Sequence, residues 1–294
     1  MMTDEILGDM RMEKAFAPTI RLPGFGRLSD ASKFLRRGGL SVISGAPGSS
    51  KSFFCLGLGL EISRHCPGVS WAYLGLESRR KMHLRRMAGV VCRSWLPVDD
   101  GDAGANLVAS HTAELEELWP CVMPNPSLDE PTWEPTADLV AEFTRRAFAS
   151  GTDVLFIDPL AAISTEPFRT AYEAEIYLTR ELARAAAKHN AIAVLVVHTT
   201  KRREGRELTQ GDVQGSTALI RLSDCVVGID SHEPKTVPVW RPGGMRAEVT
   251  ANRMVSILKT RHGSGSPPIA FRFGHDGPRF EEQGTIIPKS KWAD

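Results

Sequence analysis

The chain has 294 residues, 42% of them hydrophobic, enough to build one large α/β domain with small additions. Thirty-six basic residues face 35 acidic ones for a net charge of +1, so the chain is no polycation, and any nucleic-acid contact must come from a local patch. The cysteines at 55, 66, 92, 121 and 225 form no CxxC pair, the apolar runs are far shorter than a membrane span, and the acidic start MMTDEILGDM lacks a basic leader; this argues against a disulfide framework, a zinc site, a membrane span and a signal peptide, and for a soluble cytoplasmic protein.

In chain order, residues 1–38 read as an arm with a short helix near Asp30–Arg37. LSVISG (40–45) is a short apolar run ended by glycine, a buried strand. KSFFCLGLGLEISRHC (51–66) has helical length and pattern, although Gly57 and Gly59 weaken it. VSWAYLGLE (69–77) is a second strand and SRRKMHLRRMAGVVCRSW (78–95) a basic amphipathic helix. Residues 97–135 are rich in Pro, Asp and Gly and read as an irregular insertion with a short strand near Leu107–Ala109. A helix at 136–150, a strand at 153–163, a helix at 171–189 and a strand at 191–198 follow. After a polar loop at 199–212 come a short helix at 214–222, a strand at 224–229 and β segments near 236–240, 252–259 and 268–273, leaving 276–294 as a tail. Apolar strands alternating with helices predict an α/β fold with a mostly parallel twisted sheet flanked by helices, closed by C-terminal antiparallel strands.

GAPGSSKS (45–52) lies between a strand and a helix and matches the phosphate-binding pattern GxxxxGK[ST] except that Ser50 replaces the second glycine. Such a loop turns its backbone N–H groups inward around phosphates while the following helix adds its N-terminal dipole. Gly45, Ala46, Pro47, Gly48, Ser49, Ser50, Lys51, Ser52 and Phe53 are therefore the candidate nucleotide contacts. Lys51 would pair with the β- and γ-phosphates and Ser52 would place its hydroxyl on Mg2+. Gly48 supplies flexibility, and Ser50 fits if its φ stays negative.

Asp158 ends VLFID, an apolar strand followed by an aspartate that reaches magnesium. Glu77 ends WAYLGLE, and strand C-termini of an open parallel sheet line one crevice. Pro159 follows Asp158, so the base that orients the attacking water has to come from elsewhere, and Glu77 is the candidate; the alternative for Glu77 is an acid favoured by a helix start. His198 ends AVLVVH, where it either contacts the γ-phosphate or is a hydrogen-bonded strand-end histidine.

Together these segments resemble the hexameric RecA-fold helicases, both the DnaB-type replicative enzymes and the smaller RepA-type plasmid helicases, over about residues 38–275. YLGLESRRKMHLRRM looks like the helicase segment whose glutamate is the catalytic base; HTTKRREGRELTQGDVQGSTAL resembles the sensor and DNA-loop segment; ILKTRHGSGSPPIAFRF resembles the strand pair that carries a basic finger. The resemblance implies a RecA-like P-loop ATPase core over 39–275 using ATP and Mg2+, a homo-oligomeric ring, and Lys259 and Arg261 reaching into a neighbouring subunit's ATP site. Two solvated basic residues at a hairpin are the alternative for that pair.

Lys201, Arg202, Arg203 and Arg206 in the polar loop would track a single-stranded DNA backbone in the channel of such a ring, unless Glu204 and Glu207 leave the loop merely solvated. Three functions remain open: a single-stranded-DNA-dependent helicase in plasmid, phage or mobile-element replication; a recombinase or recombination mediator; and a regulatory, KaiC-like ATPase with protein clients.

Overall fold

The computed structural model describes residues 19–96, 101–124, 128–129, 134–200, 207–274 and 277–288. Eight strands form one mixed sheet: β1 (Gly39–Gly45), β2 (Trp71–Gly75), β3 (Val154–Asp158), β4 (Ile192–His198), β5 (Cys225–Trp240), β6 (Arg246–Thr260), β7 (Ile269–Phe273) and β8 (Phe280–Ile286), in the spatial order β2-β3-β4-β1-β5-β6-β7-β8. β2, β3, β4, β1 and the start of β5 run parallel, and β5 to β8 pair antiparallel. This is a RecA-like P-loop architecture. β1, β2 and β3 are buried at every position, which explains why they read as unbroken apolar runs rather than as alternation.

Two helical layers cover the sheet. On one face lie α1 (Gly26–Ser32), α2 (Lys51–His65) and α3 (Arg80–Cys92), with Phe54, Leu58, Ile62, Met87 and Val91 packed on Ile43, Tyr73, Phe156 and Val196. The insertion adds α4 (Gly101–Ala109) and α5 (Thr112–Leu118), the latter burying Leu118 in the same core. On the other face α6 (Ala137–Ala149), α7 (Ala171–His189) and α8 (Thr217–Leu222) pack Val140, Leu178, Leu182 and Leu219 on Val42, Leu155, Leu195 and Val226. Thr136, Thr170 and Ser216 cap these three helices, each side chain accepting an N–H of the first turn. Gly59 lets α2 approach the sheet: a Cβ there would stand 2.6 Å from the Trp71 ring.

The structure moves several sequence expectations. The first helix spans Gly26–Ser32, not Asp30–Arg37, because Lys33 turns left-handed (φ 53°) and ends it. Residues 107–109 are the end of a helix rather than a strand; the Gly and Asp around ANLVA outweigh its local helix propensity only when the segment is read by composition. Within the segment read as an arm, Ile20, Leu22, Phe25, Leu28, Phe34 and Leu35 are buried in the main core. Within the segment read as a tail, β8 pairs with both β7 and β5; FEEQGTI carries no apolar alternation to announce a strand. The β segments at 224–229 and 236–240 are one strand, bulged between Ser231 and Lys235.

Gly59→Ala gains helix propensity but forces a methyl into the Trp71 ring, and is expected to lose about 1–3 kcal/mol net. Urea denaturation reads this directly; unchanged or raised stability would show that the α2–β2 contact is slack.

Candidate active site

The parallel register brings the candidate residues to one edge. Gly45, the last residue of β1, pairs with His198, the last of β4, and Asp158 at the end of β3 pairs with Gly75, two residues before Glu77. The loop between β1 and α2 therefore opens beside the ends of β4, β3 and β2. Gly45 is required by packing, since a Cβ there would meet Ser49 Oγ at 2.5 Å and the Ile229 carbonyl at 2.7 Å. Lys51 opens α2 and folds back, its ammonium donating to the carbonyls of Gly45 (2.7 Å) and Ala46 (2.9 Å). Burial pulls its pKa below the usual lysine value, while the negative charges of Asp158 and then Glu77 oppose that shift. Both carboxylates thus act on the same ammonium.

Asp158 is buried, 5% exposed, and its Oδ2 accepts the phenol of Tyr73 at 2.6 Å. Ser52, next to Lys51 at the start of α2, and the tyrosine-held Asp158 supply a hydroxyl and a carboxylate, the kind of hard-oxygen pair that suits Mg2+ when phosphates and water complete the shell. Glu77 is more open, with 56% of its side chain exposed, and lies 3.5 Å from His198 Nε2. An accessible carboxylate beside a strand-end imidazole can accept a proton from water.

Ser50 overturns one expectation. Its φ is +71°, in the left-handed region, as is that of Gly48 at +78°. The serine occupies the conformation a glycine would take without strain, at a cost of about 1–2 kcal/mol. Its hydroxyl accepts from the Arg253 guanidinium at 3.2 Å, a contact from β6 that nothing in the loop sequence signals. The Phe53 ring packs against Trp95 (5.7 Å) and Phe273 (5.7 Å), so this side chain is engaged in the wall beside the loop.

Two further residues escaped the sequence reading. Tyr73 sits mid-strand, where an aromatic residue is indistinguishable from core. His83 of α3 is buried and T-stacked on Tyr73 at 5.1 Å, and among the described residues its Nε2 has no hydrogen-bond partner. Burial, followed by the nearby Arg86 charge, pushes its pKa down to about 4.

Lys259 and Arg261 lie elsewhere. Thr260 pairs with Cys225, which pairs with Ser41, so this end of β6 flanks the opposite edge of the sheet from Gly45. There Lys259 donates to the carbonyls of Ile220, Arg221 and Ser223, and Arg261 to the Arg221 carbonyl and to Asp224 (3.4 Å). Lys201, Arg202, Arg203 and Arg206 lie outside the described residues, but the base of their loop is pinned. Thr199 bridges Val213, and the Gln214 N–H donates to the His198 carbonyl at 2.9 Å. Among the described residues there is no cluster of three or more His, Cys, Asp or Glu arranged to hold a metal, and no helix long and apolar enough to cross a membrane.

Known proteins share the fold that carries this edge. Residues 30–204 match the family model described as an AAA domain. No curated protein matches the chain. Among solved structures, one described as an ATPase domain superposes with a TM-score of 0.72 at 14% identity, covering 97% of this chain and 98% of that one. A DnaB-like replicative helicase, solved for its interactions with primase, gives 0.70 at 15% identity over 92% of this chain and 64% of that one. A KaiC-like protein, PH0186 from Pyrococcus horikoshii OT3, gives 0.55 at 17% identity over 92% and 100%. At these identities the likeness is one of fold.

Two stability predictions follow from the site. Ser50→Gly relieves the left-handed strain and is expected to stabilise the protein by up to about 1 kcal/mol, net of the extra chain entropy of glycine and the lost Arg253 contact; a Tm below that of the parent would contradict this. His83 has a depressed folded pKa, so the unfolded chain takes up its proton first. Its contribution is present above pH 6.5 and is lost as pH falls towards 4, by about 3 kcal/mol in all. His83→Gln should therefore flatten the pH dependence of stability between pH 6.5 and 4, and an unaltered slope would show that the ring is protonated without penalty.

Proposed function

The chain belongs to the AAA domain family, and from that premise we propose that it is an ATP-hydrolysing motor of the RecA type, a single-stranded-DNA-dependent helicase or translocase acting in replication of a plasmid, phage or mobile element. The observation that carries the ATPase is the convergence of the Gly45–Ser52 loop, the buried Asp158 and the open Glu77 on one sheet edge, with both carboxylates acting on the Lys51 ammonium. The fold shared with a solved ATPase domain and with a DnaB-like replicative helicase favours the motor.

In this mechanism the loop amides and Lys51 bind the triphosphate and fix its orientation. Ser52 and Asp158 would hold Mg2+, which when bound would supply charge neutralisation on the phosphate oxygens. Tyr73 holds one oxygen of Asp158 and so fixes the carboxylate's orientation. Glu77 would take the proton of the attacking water, with His198 Nε2 3.5 Å from its carboxylate. His198 is the residue at which that loop departs and, through Gln214, the residue to which it returns, so a change at the γ-phosphate has a short path to Lys201, Arg202, Arg203 and Arg206. Those cations would follow the phosphate backbone with little base readout.

The position of Lys259 and Arg261 supports a ring. They flank the edge opposite Gly45, so they cannot serve their own phosphate loop; acting on phosphate means acting on a neighbour's. In the single protomer they cap the last carbonyls of α8, which keeps the pair ordered on the surface.

The test is an ATPase assay with and without single-stranded DNA, with the particle mass measured in parallel. Lys51→Ala should abolish turnover. Glu77→Gln should keep ATP binding and lower turnover by about 10²- to 10⁴-fold; near-parental turnover would remove Glu77 from the role of base. Stimulation by DNA that disappears when Lys201, Arg202 and Arg203 become alanine supports the motor. Turnover indifferent to DNA would move the protein to the regulatory ATPases with protein clients.

A further inference from the structure

β6 runs antiparallel to β5, so its two ends lie at opposite edges of the sheet. Val255 pairs with Ile229, which pairs with Gly45; Arg253, two residues earlier, lies level with the phosphate loop. Its guanidinium contacts Ser50, the residue immediately before Lys51. The side chain is held in place. It lies over the Phe273 ring at 5.0 Å, and its Nη1 donates to the Asn252 carbonyl at 2.9 Å. The Asn252 side chain in turn bonds both the N–H and the carbonyl of Phe273 at 2.8 Å, clamping β6 to β7 at this point.

What this cation lacks, among the described residues, is an anion. Among the described residues no carboxylate pairs with Arg253, and its buried Nε has no hydrogen-bond partner. A half-buried guanidinium that is immobilised but uncompensated is costly, and such groups are ordinarily paired. Arginine presents its donors as a planar fork suited to phosphate.

The side of the loop matters too. Glu77 and Asp158 come from β2 and β3, on one flank of β1, whereas Arg253 comes from β6, two strands away on the other flank. With about 4.8 Å between neighbouring strands, the hydrolytic carboxylates and Arg253 approach the loop from opposite directions.

We propose that Arg253 is a nucleotide-binding residue in cis, a second cation besides Lys51 that engages the diphosphate portion of the bound nucleotide, with the Ser50 hydroxyl as its anchor. This rests on the nucleotide reading above and adds to it a residue and a division of labour. Lys51 serves the hydrolysed end of the triphosphate; Arg253 serves the part that ADP and ATP share. It also gives the serine at position 50 a purpose, because a glycine there would leave the guanidinium without its contact to the loop.

The experiment titrates the full-length protein with fluorescent N-methylanthraniloyl ADP and, separately, with ATP at fixed Mg2+, for the parent, Lys51→Ala, Arg253→Met and Arg253→Gln. The parent should bind both nucleotides and Lys51→Ala should bind neither; failure at that step overturns the nucleotide site itself. With the parent binding, Arg253→Met should weaken ADP and ATP alike by about tenfold, the size expected for loss of a charge-assisted hydrogen bond. Arg253→Gln, polar but uncharged, keeps the test valid if the methionine variant fails to fold, and should show a similar loss. Parental affinity for ADP in either folded variant would overturn the proposal. So would a loss confined to ATP, which would place the guanidinium at the γ-phosphate instead.

Discussion

A buried ammonium organises this protein. Lys51 is taken out of water at the start of α2, and its charge is met by the carbonyls of Gly45 and Ala46 and by the fields of Asp158 and Glu77. Burying a lysine disfavours its charged form unless acceptors and opposite charges surround it. Those surroundings exist only because β1, β2, β3 and β4 run parallel, so that their C-terminal ends arrive at one edge. A single antiparallel insertion among these strands would carry one carboxylate to the far edge and leave the lysine uncompensated.

The antiparallel half of the sheet uses the reverse rule. One strand, β6, spans the molecule from the nucleotide edge to the opposite edge, and carries cations at both. Arg253 meets the 45–52 loop of its own chain, whereas Lys259 and Arg261 lie at the opposite edge, against the carbonyls that end α8. One strand thus joins the loop edge of the sheet to the opposite edge. The aromatic packing of Phe53, Trp95 and Phe273 ties the start of α2 to β7, so that the two halves of the sheet share a wall beside the loop.

Much of this was legible in the residues. The unbroken apolar runs of β1 to β4 and the strongly periodic α7 carry their own signal, because strands buried on both faces and helices buried on one have distinct patterns. That the 45–52 loop, Glu77, Asp158 and His198 meet at one sheet edge was legible because each sits at or just beyond the end of a strand. Composition misled at 97–135, where Pro, Asp and Gly at the borders masked α4 and α5. β8 was hidden because its stability comes from pairing with β5 and β7 rather than from its own apolar content. Ser50 could not be assigned a backbone conformation from its small side chain; only the loop's geometry decides that φ is positive. Arg253 and Tyr73 were invisible for a related reason. Their partners lie 203 and 85 residues away, and no local pattern encodes a contact of that range.

The central claim is spatial, and a crystal structure with Mg2+ and a non-hydrolysable ATP analogue tests it most directly. The account predicts phosphates cradled by the amides of the Gly45–Ser52 turn, the metal between the Ser52 hydroxyl and the Asp158 carboxylate, and Glu77 facing the γ-phosphate from the β2 side. Nucleotide seated anywhere else on the molecule, or a metal that ignores both Ser52 and Asp158, would contradict it.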